Sequence, residues 1–295
     1  MKIATWNVKN FFDAGVYDDY NGKIFVSEVF TQERIGYFAE VIAKVDPDIL
    51  FLQEVQAEKA LTELAKRLDY HFFQAKKDHR GIANTVLYKK STENITVRTV
   101  SLPPVTLPAL VEGGVTTSPL VLRRELVGVT FPYQGKKVSC FGVHLKSALP
   151  LFLEGERHDN PQHLKDALAR AVMHKMGEMI AIRTLCDGLI AGNEEVIIAG
   201  DFNESTSSLL FSLLKRSPRE VSVMTDVLAC TSLDVTTHLY KKQKLTFDTI
   251  LMSVWLAGQV VSVEVLNKNL EDMSDLPLDN DKAASDHALV LVEIV

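Results

Sequence analysis

The sequence predicts an α/β fold with mixed β-sheets, and three observations favour this class. Short β-rich runs alternate with segments whose apolar residues recur at helical spacing. Between residues 82 and 143, several β-rich runs follow one another without a helix, which favours antiparallel or mixed pairing over a purely parallel sheet. Neither an internal repeat nor a Pro/Ser-rich linker divides the chain, so residues 1–295 are predicted to form a single domain.

The predicted elements follow one another along the chain. A strand at residues 2–6 precedes a helix at 33–44, which Asp46-Pro47-Asp48 ends because proline cannot continue a helix. The other predicted strands are 49–52, 82–88, 94–100, 120–131, 138–143, 195–199, 246–252, 260–265 and 288–294. The other predicted helices are 57–68, 162–186 and 208–214. Four segments lack either period and are expected to be loops: 13–30, 101–119, 146–162 and 267–284.

The longest predicted helix, 162–186, begins after the start signal Asn160-Pro161. His174 is predicted on or near its polar face, in contact with solvent. Six residues are predicted to form one apolar stripe on this helix: Leu164, Leu168, Ala171, Val172, Met179 and Ile182.

The composition is that of a folded protein with an ordinary core. The chain has 295 residues, of which 46% are hydrophobic and 24% charged, and this balance excludes disorder and collagen. Cys140, Cys186 and Cys230 are too few and too scattered for a disulfide framework, so we expect them to be buried. The formal net charge of −6 argues against a non-specific grip on phosphate backbones.

Neither a signal peptide nor a membrane span is predicted. The first apolar run, Ile3 to Val8, is short and is followed by Lys9 and Asn10. Apolar stretches elsewhere fall far below the roughly 20 residues that a spanning helix needs. A cytoplasmic location is therefore expected.

Polar residues able to bind a metal or a phosphate directly follow four of the predicted strands. They are Asn7, Gln53-Glu54, His144 and Gly200-Asp201-Phe202-Asn203. Ligand sites gather at strand ends in open α/β sheets. The repetition of this pattern therefore favours a functional site over four unrelated turns.

These side chains share one coherent chemistry, that of a hard divalent cation. His144 and His287 are candidates for a general base or for donors to a charged oxygen. A divalent cation beside histidines and an arginine is suited to the hydrolysis of phosphate esters. The oxygen donors suit Mg²⁺ or Mn²⁺, and they are Glu54, Asp201, Asp248, Asp286, Asn7 and Asn203.

Seven short motifs occur in order along the chain: Thr5-Trp6-Asn7, Leu52-Gln53-Glu54-Val55, Arg124-Glu125-Leu126, Val143-His144-Leu145-Lys146-Ser147, Gly200-Asp201-Phe202-Asn203, Phe247-Asp248-Thr249-Ile250 and Ser285-Asp286-His287. In this order they resemble the motifs of the endonuclease/exonuclease/phosphatase superfamily. The resemblance implies a four-layer α/β-β/α sandwich of two mixed sheets with outer helices, which forms one catalytic domain with Mg²⁺- or Mn²⁺-dependent phosphodiesterase activity.

The resemblance also implies which residues bind the metal. Glu54 would be the principal ligand, with Asn7 and Asp286 close to the same ion. Asp201 would orient the attacking water with Asn203, and is also a candidate ligand for a second metal.

The remaining motif residues would act on the phosphate. His287, hydrogen-bonded to Asp248, would be the general base or an imidazolium donor to the scissile phosphate. His144, Arg124 and Asn203 would contact phosphoryl oxygens and stabilise developing charge.

Within the superfamily, the motifs favour a nuclease acting on DNA or RNA. The segments Asn7-Val8-Lys9-Asn10-Phe11-Phe12-Asp13 and His144-Leu145-Lys146-Ser147 resemble bacterial nuclease-like members. Abasic-site endonucleases carry tyrosine where this chain has His144, so that branch is disfavoured. The chain is expected to act as a monomer.

Two alternatives remain open at this point. A phosphatase or a phospholipase C-type phosphodiesterase acting on inositol phosphates or sphingomyelin-like lipids suits the net acidic charge and the acidic segment 267–284. In that case the apolar run 149–153 would touch lipid, although packing onto its own domain is the commoner fate of such a run. The other alternative is a catalytically inactive binding module, against which stands the presence of every motif residue.

Overall fold

The computed structural model describes residues 1–18, 24–78, 80–111, 114–120, 124–215, 223–273 and 284–295. The helices are α1 (Glu28–Val45), α2 (Lys59–Leu68), α3 (Pro161–Ala191), α4 (Ser212–Lys215) and α5 (Val254–Ala257). The strands are β1 (Lys2–Phe11), β2 (Tyr17–Asp18), β3 (Ile24–Phe25), β4 (Ile49–Val55), β5 (Tyr70–Gln74), β6 (Ala83–Lys89), β7 (Thr96–Val100), β8 (Val105–Val111), β9 (Gly114–Leu120), β10 (Leu126–Tyr133), β11 (Lys136–His144), β12 (Glu195–Asp201), β13 (Met224–Asp226), β14 (His238–Tyr240), β15 (Gln243–Leu245), β16 (Asp248–Ser253), β17 (Val260–Leu266) and β18 (Leu289–Ile294).

Most of the described strands belong to two six-stranded mixed sheets. The first sheet has the order β17-β18-β1-β4-β6-β5, and the second has the order β13-β16-β12-β11-β10-β7. Each sheet contains one parallel pair, β1 with β4 and β11 with β12, between antiparallel neighbours. The mixed pairing predicted from the sequence is therefore confirmed.

The two sheets pack face to face, and helices cover their outer faces. Ile3 and Phe51 of the first sheet share a buried cluster with Ile197 and Ile250 of the second. A second cluster joins α1 and α2 to the outer face of the first sheet, and a third joins α3 and α4 to the outer face of the second. These clusters form the four layers of the predicted sandwich.

Some element boundaries differ from the prediction for identifiable reasons. Helix α1 begins at Glu28, five residues before the predicted start, because the Ser27 side chain caps it by accepting a hydrogen bond from the Phe30 N–H at 3.1 Å. Strand β5 was not predicted. Part of the predicted loop 101–119 is the hairpin of β8 and β9, which form a separate two-stranded sheet in the described part of the chain. Most of the acidic segment 267–284 lies outside the described residues.

Helix α3 corrects two expectations. His174 is 5% exposed and therefore buried, so its predicted contact with solvent is wrong. Ala171, Met179 and Ile182 of the predicted stripe are buried, whereas Leu168 and Val172 are exposed. A helix of 31 residues is about 46 Å long, whereas the nine-residue strand β11 spans about 30 Å, so α3 is longer than the strands that it covers. The remaining residue of the predicted stripe, Leu164, is exposed as well.

Candidate active site

The predicted site residues lie on the inner faces of both sheets, at one end of the sandwich. In the second sheet His144, Asp201 and Asp248 occupy directly opposed positions on β11, β12 and β16, which places them in one row. Because side chains alternate along a strand, Asp201 shares its face with the core residues Ile197 and Ala199. The row is thus the polar end of the apolar layer between the sheets.

The first sheet contributes the other half of the site by the same geometry. Asn7 of β1 follows Ile3 and Thr5 on the inner face and is opposed to Gln53 of the parallel strand β4. Parallel neighbours end at the same edge, so the carboxyl ends of β1 and β4 face those of β11 and β12. Asn7 Nδ2 donates to Asp201 Oδ2 at 2.9 Å and so joins the two sheets.

Glu54 lies beside Asn7 at the end of β4 in an unusual backbone conformation. Its φ of 62° is in the left-handed region, which non-glycine residues rarely adopt. Its Oε2 accepts from the Asn10 N–H at 3.1 Å, and its Oε1 lies 3.4 Å from Asn7 Nδ2 and 3.7 Å from His144 Nε2. These contacts hold the carboxylate toward the second sheet.

His287 and Asp248 form the predicted pair. His287 Nδ1 lies 2.8 Å from Asp248 Oδ2, so Nε2 is the ring atom left for a substrate. The Trp6 indole N–H donates to the His287 carbonyl at 2.9 Å, and the His287 N–H donates to Ser285 Oγ at 3.1 Å. The short segment before β18 is therefore fixed on both sides.

Asn203 and Arg124 border the same group. The Asn203 N–H donates to Asp201 Oδ1 at 2.7 Å, and Asn203 Nδ2 lies 3.2 Å from Asp201 Oδ2. Gly200 precedes this turn, and a Cβ at its position would overlap the carbonyl oxygen of Val143. Arg124 Nη1 donates to the His144 carbonyl at 3.1 Å, so the guanidinium adjoins the site.

Asp286 lies beside this group in a separate arrangement. Its Oδ2 is 3.8 Å from Lys9 Nζ, and one of its oxygens lies within 4.8 Å of ring nitrogens of His238 and His287. The structure thus brings all the predicted site residues to one edge. Glu54 lies with Asn7 and Asp201, whereas Asp286 lies with His238 and His287.

The donor set fits a divalent cation. Ligand atoms of Asp201, Asp248 and His287 lie within 4.8 Å of one another. Asp248 is fully buried, and its Oδ1 has no hydrogen-bond partner among the described residues. The buried carboxylates of Asp201 and Asp248 and the nearby carboxylate of Glu54 need positive charge beside them. Carboxylate oxygens are ligands that suit Mg²⁺ or Mn²⁺.

Burial and mutual charge shape the protonation of these groups. Burial and the neighbouring Asp248 carboxylate raise the pKa of Asp201 to about 7. Burial acts to lower the pKa of His287, but the charges of Asp248, Asp201 and Asp286 raise it to about 10. Burial and the cations of Arg124 and Arg80 hold the pKa of His144 well below its usual range. In this charge distribution His287 is the cationic histidine and His144 is the neutral one.

Two residues of this region were not predicted from the sequence. The His238 ring stacks on that of His287, with centroids 4.2 Å apart and planes at 24°. Arg34 of α1 is buried and donates to the carbonyls of Val8, Lys9 and Asn10 in the irregular end of β1. A charged residue on the apolar face of α1 is a signal that would have identified Arg34, whereas His238 matches no motif.

Comparison with known families agrees with this geometry. Residues 4–287 match the model of the Endonuclease/Exonuclease/phosphatase family. The chain belongs to this family. The family comprises endonucleases, exonucleases and phosphatases, whose shared chemistry is hydrolysis of phosphate esters. No curated protein sequence is significantly similar to the chain.

Solved structures share the family's fold at low sequence identity. A family protein from Bacteroides thetaiotaomicron is 17% identical, with a TM-score of 0.60 over 99% of this chain and 93% of that one. The 3' phosphatase NExo from Neisseria, bound to a product DNA hairpin, is 17% identical, with a TM-score of 0.59 over 100% and 99%. A humanized D. rerio TDP2 is 17% identical, with a TM-score of 0.58 over 99% and 97%. These likenesses confirm the predicted fold.

Proposed function

We propose that this chain is a nuclease that hydrolyses phosphodiester bonds of nucleic acid with the help of Mg²⁺ or Mn²⁺. One observation carries the proposal: Glu54, Asn7 and Asp201 meet the Asp248–His287 pair at the edge where the strand ends of both sheets converge. The description of NExo as a 3' phosphatase bound to a product DNA hairpin supports nucleic acid as the substrate class.

Each side chain has a task in this proposal. Asp201 and Asn203 orient the attacking water, because the Asn203 N–H and amide fix both oxygens of Asp201. His287 presents Nε2 to the scissile phosphate, since Asp248 holds its Nδ1. His144 and Arg124 stabilise charge that develops on the phosphoryl oxygens.

Glu54, Asn7 and Asp201, which the structure groups together, would hold the divalent cation, and Asp201 would be shared with a second ion. Asp286, which lies with His238 and His287, is proposed as a further ligand of the first ion. When bound, the cation offsets charge on the phosphoryl group and polarises its oxygens.

The first test measures hydrolysis of DNA and RNA oligonucleotides by the purified chain. We expect activity with Mg²⁺ or Mn²⁺, loss of activity in EDTA, and recovery when the metal is restored. Glu54→Gln and His287→Ala should each lower kcat/KM by roughly a hundredfold or more, because each removes a group that acts on the transition state. Undiminished activity in either variant would contradict the proposed site.

The matched control is Glu58→Gln. Glu58 lies four residues after Glu54, but its side chain is exposed and pairs with Lys77. We expect wild-type activity from this variant. A similar loss in both variants would mean that charge near the end of β4 matters, rather than the Glu54 carboxylate.

A panel of substrates tests the alternatives. Hydrolysis confined to inositol phosphates or sphingomyelin would overturn the nuclease assignment in favour of a phosphatase or phospholipase C-type enzyme. A chain that hydrolyses no member of the panel would fit a binding module.

The shared core of the two sheets supports one catalytic domain over residues 1–295. The monomeric state and the cytoplasmic location stay predictions, and none of the described helices is long and apolar enough to cross a bilayer.

A further inference from the structure

A cleft of about 290 Å³ opens beside the active site. Its walls come from the loop before β6, the residues just before β10, the loop between β11 and α3, and α3 itself. The lining includes Asp78, Arg80, Arg124, Lys146, Phe152 and Glu178.

The cleft is continuous with the active site through two arginines. Arg124 Nη1 donates to the His144 carbonyl at 3.1 Å. Arg80 Nη2 donates to Asn10 Oδ1 at 3.2 Å, and the Asn10 N–H in turn donates to Glu54. A substrate whose scissile phosphate lies between Glu54 and His144 therefore has its neighbouring groups at the mouth of this cleft.

The lining suits a phosphate better than a cation. Three cationic side chains, Arg80, Arg124 and Lys146, face two carboxyl groups. Asp78 accepts from Arg124 Nε at 3.2 Å, and burial raises the pKa of Glu178 to about 7. Arginine binds phosphate oxygens through paired N–H groups, which makes it the usual residue for this task.

The cleft also offers a ring surface in a fixed position. The rings of Phe152 and His158 both line the cleft, and their centroids lie 4.0 Å apart with an angle of 41° between the planes. The neighbouring Leu151 is held against α3 on both sides of its backbone. Its N–H donates to the Ala167 carbonyl at 2.9 Å, and its carbonyl accepts from Arg170 Nε at 2.9 Å. Phe152 is thus ordered before any ligand arrives, which lowers the entropic cost of stacking a base on it.

We propose that this cleft binds one unpaired nucleotide next to the scissile phosphate, with its base stacked on Phe152 and its phosphate on Arg80 and Arg124. This inference rests on the proposed nuclease function and specifies its substrate as single-stranded nucleic acid. A base within a duplex is stacked on both faces and must be extruded before it enters such a cleft, which has an energetic cost. Aromatic stacking tolerates every base, so little sequence preference is expected.

The test compares three substrates: a single-stranded DNA oligonucleotide, its duplex, and a single strand of abasic nucleotides, which has the phosphate backbone but no base. We expect the wild-type chain to cleave the single strand faster than the duplex. Phe152→Ala should lower kcat/KM on the single strand by roughly tenfold, because one base stack is lost. Cleavage of the abasic strand should be unchanged, and Phe152→Tyr should restore cleavage of the single strand with bases.

The control variant is Leu153→Ala, which removes an exposed apolar side chain from the same loop outside the cleft lining. It should behave as the wild type on all three substrates. Equal losses for Phe152→Ala on the oligonucleotide with bases and on the abasic strand would overturn the proposal. Faster cleavage of the duplex than of the single strand by the wild-type chain would also overturn the proposal.

Binding separates failure of this inference from failure of the proposed function. Fluorescence anisotropy with labelled single-stranded DNA and the Glu54→Gln protein reports the cleft without hydrolysis. Binding that depends on Phe152, in a chain without hydrolytic activity, would contradict the nuclease function and support the cleft. Hydrolysis of nucleic acid together with binding that does not depend on Phe152 would support the nuclease function and contradict the proposed role of the cleft.

Discussion

His238 lies in the site although it belongs to none of the sequence motifs. Its ring stacks on His287, its Nδ1 lies 3.1 Å from the carbonyl oxygen of Asp286, and its backbone pairs with that of His287. Burial and the charge of His287 lower the pKa of His238, so the ring beside the cationic His287 is neutral. These contacts make His238 a positioning residue for His287.

Replacement of His238 should affect the chemical step more than substrate binding. His238→Ala is expected to lower kcat by roughly ten- to a hundredfold, with KM little changed, because His287 loses the ring that fixes its plane. His238→Phe keeps a flat ring and should recover most of kcat. Steady-state kinetics on a nucleic-acid substrate measures both.

An exposed residue of the same hairpin provides the control for His238. Gln243 lies on the paired strand β15 and is exposed, so Gln243→Ala should leave kcat near the wild-type value. An unchanged kcat in His238→Ala, or no recovery in His238→Phe, would contradict the positioning role.

Most of the other site residues could be predicted because each lies in a short motif at a strand end. Asp201 and Asn203 follow an apolar run directly, and their chemistry is evident without a structure. The sequence could not indicate that Asp201 pairs with Asn7, because the two residues lie 194 positions apart.

At the scale of elements, the end of β1 depends on Arg34 of α1. Lys9 and Asn10 have φ angles of 49° and 53°, and the pairing of β1 with β4 is interrupted there. The Arg34 guanidinium donates to the carbonyls that this bulge leaves outside the sheet, and lies 4.9 Å above the Phe38 ring. The bulge in turn directs the Asn10 N–H to Glu54.

Arg34→Met should therefore destabilise the fold and disturb the site together. We expect the free energy of unfolding to fall by about 3 kcal/mol, because buried carbonyls lose their donors. Arg34→Lys should recover only part of this loss, since one ammonium group cannot reach all three carbonyls with the geometry of a guanidinium. Urea denaturation measures both variants.

The control for Arg34 lies on the neighbouring helix. Arg67 of α2 forms an exposed pair with Glu63 at i,i+4, so Arg67→Met should change stability by less than about 1 kcal/mol. A similar change in the two variants would refute the role of Arg34 in holding the bulge.

Patterning predicted the type of most elements but not all of their ends. The helical period of α1 was evident, whereas its start depended on the Ser27 cap. Strand β5 was missed because a short strand at a sheet edge carries little periodic signal. Strands β8 and β9 were missed because each contains a proline, Pro108 or Pro119, and proline within a run argues against a strand.

At the scale of the whole molecule, one buried carboxyl on α3 links the stability of the fold to pH. Glu178 is 4% exposed, and its Oε2 accepts from the Lys146 N–H at 2.7 Å. Burial raises its pKa to about 7, even though the charges of Arg124, Lys146 and Lys175 oppose this shift; His174 Nδ1 lies 3.5 Å away.

The sign of the effect follows from this raised pKa. Between about pH 4.5 and 7 the unfolded chain releases this proton while the folded chain keeps it, so stability falls as pH rises. Glu178→Gln is neutral at every pH and should remove this contribution, which reaches on the order of 3 kcal/mol above pH 7.

Urea denaturation of both proteins from pH 4 to pH 8 tests this prediction. The difference in unfolding free energy between Glu178→Gln and the wild type should grow in favour of the variant as pH rises, and then level off. Asp187→Asn, which changes an exposed carboxyl on the same helix, should give a difference independent of pH across this range. A flat difference for Glu178→Gln would contradict the raised pKa.

By itself, the sequence determined the class of fold, the chemistry of the donors and the family, because these properties are local. Alternating apolar runs, carboxylates at strand ends and seven short motifs can be recognised without knowing which strands are neighbours. The tertiary structure decided which donors meet. Sheet order, register and the packing of two sheets place Asn7 on Asp201, His238 on His287, and Phe152 in the same cleft as Arg124. These placements depend on contacts between distant parts of the chain, which no local pattern encodes.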